Sequence, residues 1–165
     1  LRSSSAASDV YKRQGLDCSP RGDGPGFVEI LDERTLALPD RRGNNRLDTL
    51  RNVIRDSRVA LLFLIPGLNE TLRVNGRAHV STDPALRARF EIDGKQPVTV
   101  MVIHIDTMYF QCARALKRSR LWAPESQVDP KTLPSAGTLI RSVIDDFDAT
   151  GYDGELPARQ ARTLY

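Results

Sequence analysis

The sequence predicts a mainly β fold with short helices, an α+β chain that closes into a small or half-closed barrel. Three observations predict it. Several short runs alternate apolar and polar residues, as strands with one solvated face do. Two other runs, Arg58–Ile65 and Val98–Ile105, are apolar almost throughout and of strand length. The connections between runs are short, which suits antiparallel neighbours.

The chain has 165 residues, 40% of them hydrophobic, enough for one domain with a real core. Its longest unbroken apolar run, Val59–Ile65, has seven residues. A membrane-spanning helix needs about 20. Cys18 and Cys112 lie far apart, and His79 and His104 are the only histidines, so no zinc-ligand spacing exists. That cysteine usage fits a reducing, cytoplasmic compartment. Residues 1–14, LRSSSAASDVYKRQ, are Ser- and Ala-rich, lack periodicity and lack the apolar stretch of a signal peptide. They resemble translated adapter read-through and are set aside from the fold reading. Arg2, Lys12 and Arg13 against Asp9 give this stretch +2 of the formal +3, leaving +1 for the rest. The expected organisation is therefore a foreign segment over 1–14, a barrel domain over 15–124, and a linker, amphipathic helix and polar tail over 125–165.

Phe27–Leu31 alternates and reads as a strand; Asp32-Glu33 turns; Thr35–Leu38 is a second strand, stopped by Pro39. After the loop Asp40–Asn45, Arg46–Asp56 places Leu47, Leu50, Val53 and Ile54 on one helical face, with Asn44 or Asn45 as its cap. Arg58–Ile65 is a strand buried on both faces. Pro66–Asn69 turns the chain into Thr71–Val80, where Leu72, Val74, Ala78 and Val80 face one way and Thr71, Arg73, Asn75, Arg77 and His79 the other. Asp83-Pro84 opens a short helix with a carboxylate cap and a first-turn proline; Leu86 and Phe90 are its buried pair. Val98–Ile105 is again buried on both sides. Asp106-Thr107 is read as a turn into a sixth strand, Met108–Ala115, where Cys112 is a buried thiol. A basic helical turn, Leu116–Arg120, leads to Trp122. Prolines 124, 130 and 134 mark the linker. Ser135 then caps a helix with the apolar stripe Leu139, Ile140, Val143, Ile144 and Phe147, and Tyr152–Tyr165 is an irregular polar tail.

No nucleophile triad, Walker loop, GxGxxG or HExxH occurs, and no side chain stands out as a catalytic acid or base. The segment that carries chemistry is Pro39–Arg46, PDRRGNNR, which runs straight into a helix. A helix start offers free N–H groups and a positive dipole end to anions. Arginine adds planar, paired donors matched to phosphate oxygens. The loop reads as a pocket for a phosphate monoester; a solvated loop with an ordinary asparagine cap has the same residue types. The polar row Thr71, Arg73, Asn75, Arg77 and His79 is expected to lie beside that loop, although a solvated strand face has the same pattern. The cluster Arg114, Lys117, Arg118 and Arg120 lacks interleaved aromatic platforms, and a net charge of +1 is no nucleic-acid footprint.

In order, PDRRGNNR, LDTLRNVIRDSRVALLFLIPG, NETLRVNGRAHVSTDP and YFQCARALKRSRLW resemble the pyridoxamine 5′-phosphate oxidase-like flavoproteins, in particular a bacterial branch of FMN-binding split-barrel proteins. The resemblance spans Phe27–Trp122. It implies a split β-barrel, here with a C-terminal helical extension, that forms a homodimer with FMN bound in clefts between the subunits. It implies that Arg42, Asn44, Asn45 and Arg46 hold the FMN phosphate. It implies that Thr71 and Arg73 begin the strand that touches flavin and phosphate, with Thr71 standing where a glutamine is common. Ser119 and Trp122 are the matching candidates for covering the ring from the partner. The Trp-Gly…Arg-x-His-x-Arg pattern that grips pyridoxal phosphate in true vitamin B6 oxidases has no counterpart: the only tryptophan is Trp122 and no histidine follows His104. The resemblance thus implies an FMN-dependent oxidoreductase acting on another small molecule. A flavin- or deazaflavin-binding carrier without turnover is the alternative.

Overall fold

The computed structural model describes residues 17–43 and 47–164. Five strands among them form one antiparallel sheet in the spatial order β1-β2-β5-β4-β3. They are β1 (Glu29–Asp32), β2 (Thr35–Asp40), β3 (Arg58–Phe63), β4 (Thr71–Ser81) and β5 (Thr99–Gln111). Helix α1 (Asp48–Arg55) joins β2 to β3 and packs on β4; α2 (Pro84–Ala88) lies between β4 and β5. Beyond β5 come α3 (Arg114–Ser119), two short 3₁₀ turns, α4 (Ala136–Arg141) and α5 (Ala149–Thr163). The α+β split-barrel expectation holds.

The middle of the sheet is buried on both faces, because a helix covers each. Leu36 and Leu38 of β2, Met101 and Ile103 of β5, and Val74 and Ala78 of β4 meet Val53 of α1 on one side. Ala37 and Val100 meet Phe90 and Leu86 on the other. Asp83 caps α2 as its position before a proline predicts, its carboxylate accepting from the Ala85 N–H at 3.2 Å.

The sixth strand does not exist. Asp106 is instead an extra residue inside a 13-residue β5, since Asn75 pairs with Thr107 and Gly76 with Ile105. A bulge absorbs one residue without reversing the chain, and Asp-Thr lacks the positive-φ residues of a tight hairpin. A glycine is required opposite: a Cβ on Gly76 would run into the carbonyl oxygen of His104.

Other expectations are corrected. Pro39 does not stop β2, which continues to Asp40; past Ala37 the β1 side of the strand is open, where a residue without an N–H is tolerated. Helix α1 starts at Asp48, with Leu47 at its cap position and no capping side chain; Asn44 and Asn45 lie outside the described residues. Strand β3 is an edge strand that ends at Phe63 and is not buried on both faces: Leu62, Leu64 and Ile65 are about half exposed. Its entry is fixed by Asp56, whose carboxyl is held at about 2 by the Arg58 guanidinium and N–H. That contribution is complete above the ordinary carboxylate range and is lost as pH falls through about 2. Cys112 falls just past β5 and is exposed, as is Cys18.

The C-terminal stripe is split. Helix α4, capped by Ser135, ends at Arg141, and a turn with Asp146 at φ 61° leads into α5. The expected irregular tail is a 15-residue helix. Asp148 caps it through the Gly151 N–H, and Arg159 lies over the Tyr152 ring at 4.5 Å. Its Ala, Gln and Arg content favours helix and outweighs Gly151, Gly154 and Pro157.

Candidate functional site

At the end of the sheet where β3, β4 and β5 meet, α3 folds back and leaves a groove of about 390 Å³. The floor is strand: Ala60 and Leu62 of β3, Thr71 and Arg73 of β4, and Gln111 of β5, with Ala115 and Leu116 of α3 forming the wall. The period-2 geometry of strands puts Thr71 and Arg73 on this outer face together. Gln111 joins them because it is the cross-strand partner of Thr71.

Thr71 is only 3% exposed, and its hydroxyl oxygen is buried without a hydrogen-bond partner. Such a group costs about 1–3 kcal/mol unless something supplies the missing bond. Arg73 lies over the Tyr109 ring at 5.5 Å, and no carboxylate among the described residues pairs with it. The groove thus offers a cation that no described carboxylate neutralises, an unsatisfied hydroxyl and an amide, all against an apolar wall. Among the described residues its lining holds no carboxylate, histidine or thiol.

Helix α3 is held in place from its far end. Arg120 adopts the left-handed conformation that ends the helix, and Trp122 then donates its indole N–H to the Leu68 carbonyl at 2.5 Å. This ties the chain after α3 to the β3–β4 turn, where Gly67 supplies φ 86°. Ser119 is exposed and donates its hydroxyl to Leu116 of its own helix at 3.1 Å. Neither Ser119 nor Trp122 lines the groove.

The described part of the PDRRGNNR loop, Pro39–Gly43, begins at the far end of the sheet. Strand β2 ends at Asp40 opposite Thr99, beside the Val100–Ser81 pair, whereas Thr71 pairs with Gln111 at the other end of the β4–β5 ladder. Ten residues of strand, about 30 Å at about 3.3 Å each, separate the two ends. Strand β4 does lie beside the helix that follows the loop, as chain order predicts, but the loop's start at Asp40 is near the Ser81 end of β4 and far from Thr71. Arg41 is committed to the fold: its guanidinium donates to Asp23 at 2.7 Å and to the Phe90 carbonyl at 2.7 Å. Arg42 is exposed and forms no ion pair with another described residue. Asn44, Asn45 and Arg46 lie outside the described residues. The start of α1 also carries acid, with Asp48 in its first turn and Asp17 accepting from the Thr49 hydroxyl.

Gln111 is the groove residue that sequence reasoning missed. The signal was the β4–β5 register, hidden once Asp106 had been read as a turn. Among the described residues there is no cluster of three potential metal ligands and no helix long and apolar enough to cross a membrane.

A sequence model of the family described as pyridoxamine 5′-phosphate oxidase matches residues 11–112. No curated protein matches the chain. Among solved structures it is similar to HupZ of Group A Streptococcus. An alanine variant of HupZ aligns with TM-score 0.44 and 15% identity, covering 52% of this chain and 73% of that one. A second HupZ structure aligns with TM-score 0.43 and 16% identity, covering 51% and 68%.

Proposed function

Because the chain belongs to the pyridoxamine 5′-phosphate oxidase family, we propose that it is a cytoplasmic, homodimeric FMN-binding oxidoreductase acting on a small molecule. The observation that carries the reading is the buried, unpartnered Thr71 hydroxyl beside the Arg73 guanidinium, which no described carboxylate neutralises, in the groove. A flat, phosphorylated aromatic cofactor fits that combination: the ring lies against Leu62, Ala115 and Leu116, and heteroatoms take up the hydroxyl, the Gln111 amide and the cation.

In this reading Arg42, Asn44, Asn45 and Arg46 grip the phosphate from one subunit, while Thr71 and Arg73 reach the flavin from the other. The distance of the loop's described start, at Asp40, from the groove supports a composite site, as do the exposed apolar residues Leu62, Leu64 and Ile65 at and just past the end of β3. Ser119 and Trp122 act by holding α3 as the wall. When bound, FMN supplies the two-electron redox chemistry. The chain supplies phosphate donors, a partly dry ring pocket and a cleft for substrate.

A second reading is a flavin or deazaflavin carrier without turnover; the described groove lining, of Thr, Arg, Gln and apolar residues, binds a ring without offering it a carboxylate, imidazole or thiol. One set of measurements separates the two: the absorbance spectrum of the purified protein, the mass of the released cofactor, and anaerobic reduction by NAD(P)H followed by reoxidation in air. Reduction and reoxidation support the oxidoreductase; a bound flavin inert to donors supports the carrier. In either case Arg73→Ala should weaken FMN binding about tenfold or more, about 1.4 kcal/mol. Unchanged affinity in the folded variant would remove the groove from the site.

A further inference from the structure

We propose that the turn Val143–Asp146, between α4 and α5, docks on α3 of a second copy of the chain, with the two copies exchanging this contact reciprocally. The turn presents Val143, 81% exposed, and Ile144, 53% exposed, followed by the exposed carboxylates of Asp145 and Asp146. The helices behind it form a firm base. The Gly137 N–H donates to Asp153 at 2.7 Å, and Gly137 lies so close to Ala149 that a Cβ would strike its carbonyl oxygen.

Helix α3 presents the complementary chemistry. Arg114, Lys117 and Arg118 are exposed and form no ion pair among the described residues, whereas Arg120 is paired with Glu125. Apolar surface adjoins the helix at both ends: Phe110 is 80% exposed and Leu121 46%. All these residues stay exposed within one chain, so the two patches do not satisfy each other there. A two-fold pair satisfies both at once, each copy giving its acidic turn and receiving one on its basic helix. The opposite charges orient the encounter, and Val143 and Ile144 contribute buried apolar area. Because Ala115 and Leu116 of α3 wall the groove, the partner's turn borders the groove and helps exclude water from it. The inference rests on the homodimer of the proposed function and on the charge and exposure of these two patches, and does not depend on FMN.

Sedimentation equilibrium of the full chain at low salt tests it. Arg118→Glu and Asp145→Lys should each raise the dimer Kd about tenfold or more. The double variant, with the charges exchanged, should return to within about threefold of the unaltered chain, as a direct pair requires. Val143→Ser, a change at an exposed site that leaves the fold intact, should raise the Kd as well. Folded single variants with unchanged Kd, or a double variant weaker than both singles, would overturn this contact and leave the homodimer standing; an unaltered chain that stays monomeric at ~100 µM would overturn both.

Discussion

Thr71 concentrates the argument at the scale of one residue. Its hydroxyl is buried and unpaired, so the fold without ligand carries a cost that a bound partner removes. Thr71→Val keeps the β-branched shape and deletes the cost. The expected outcome is a ligand-free protein more stable by about 1 kcal/mol, read as a higher urea midpoint at unchanged slope. FMN affinity should fall about tenfold in the same variant, measured by flavin fluorescence titration. The opposite signs are the point: a residue that merely packs moves both quantities the same way or neither. Trp122 is the contrasting case. Its indole is spent on the Leu68 carbonyl, so its influence on the groove passes through the placing of α3. Trp122→Phe keeps the ring and loses the bond. It should weaken cofactor binding with little change in the bound flavin's spectrum, since no group facing the ring is altered.

Among elements, the β4–β5 ladder governs most of what the site is. Its bulge at Asp106 requires the close approach at Gly76, so Gly76→Ala should cost about 3 kcal/mol in chemical denaturation as β4 is forced away from His104. The same ladder marks where sequence reading stopped. Alternation along Thr71–Val80, the Asp83-Pro84 helix start and the buried centre of β5 were legible, because each is written in a local run of side chains. Asp106 was misread because a bulge and a turn use similar polar residues; only the pairing across to Asn75 and Gly76 tells them apart. Strand β3 misled for a different reason. An apolar run records that both faces meet apolar surroundings, and in the single chain one face of an edge strand meets none. Helix α5, Ala149–Thr163, was hidden by two glycines and a proline whose local cost is outweighed by the Asp148 cap and by packing on α4. The groove was half legible: the polar face of β4 gave Thr71 and Arg73, whereas Gln111 is brought to them only by register.

For the whole molecule, the family match ends at Gln111-Cys112, and α3, the proline-marked linker and the helical pair lie beyond it. Oxidising pyridoxamine phosphate needs a second grip for the substrate's dianion beside the flavin. No histidine occurs in the segment after the match, and its arginines on α3 face outward. Turnover of pyridoxamine or pyridoxine phosphate should therefore be negligible in FMN-saturated protein. Steady production of pyridoxal phosphate at about 1 per second or faster would refute this. The strand order has a further consequence, for the sequence of events in synthesis. Strands β1 and β2 form one hairpin and β3 and β4 another, and β5 alone joins the two by pairing with β2 on one side and β4 on the other. A nascent chain that has not yet released Thr99–Gln111 from the ribosome holds two separate ribbons, each with an unmatched inner edge. Such edges are templates for pairing with other chains. The halves of this sheet are thus committed to one another late, by a single strand, and a chain interrupted before Thr99 is left with two separate ribbons whose inner edges the finished sheet would pair.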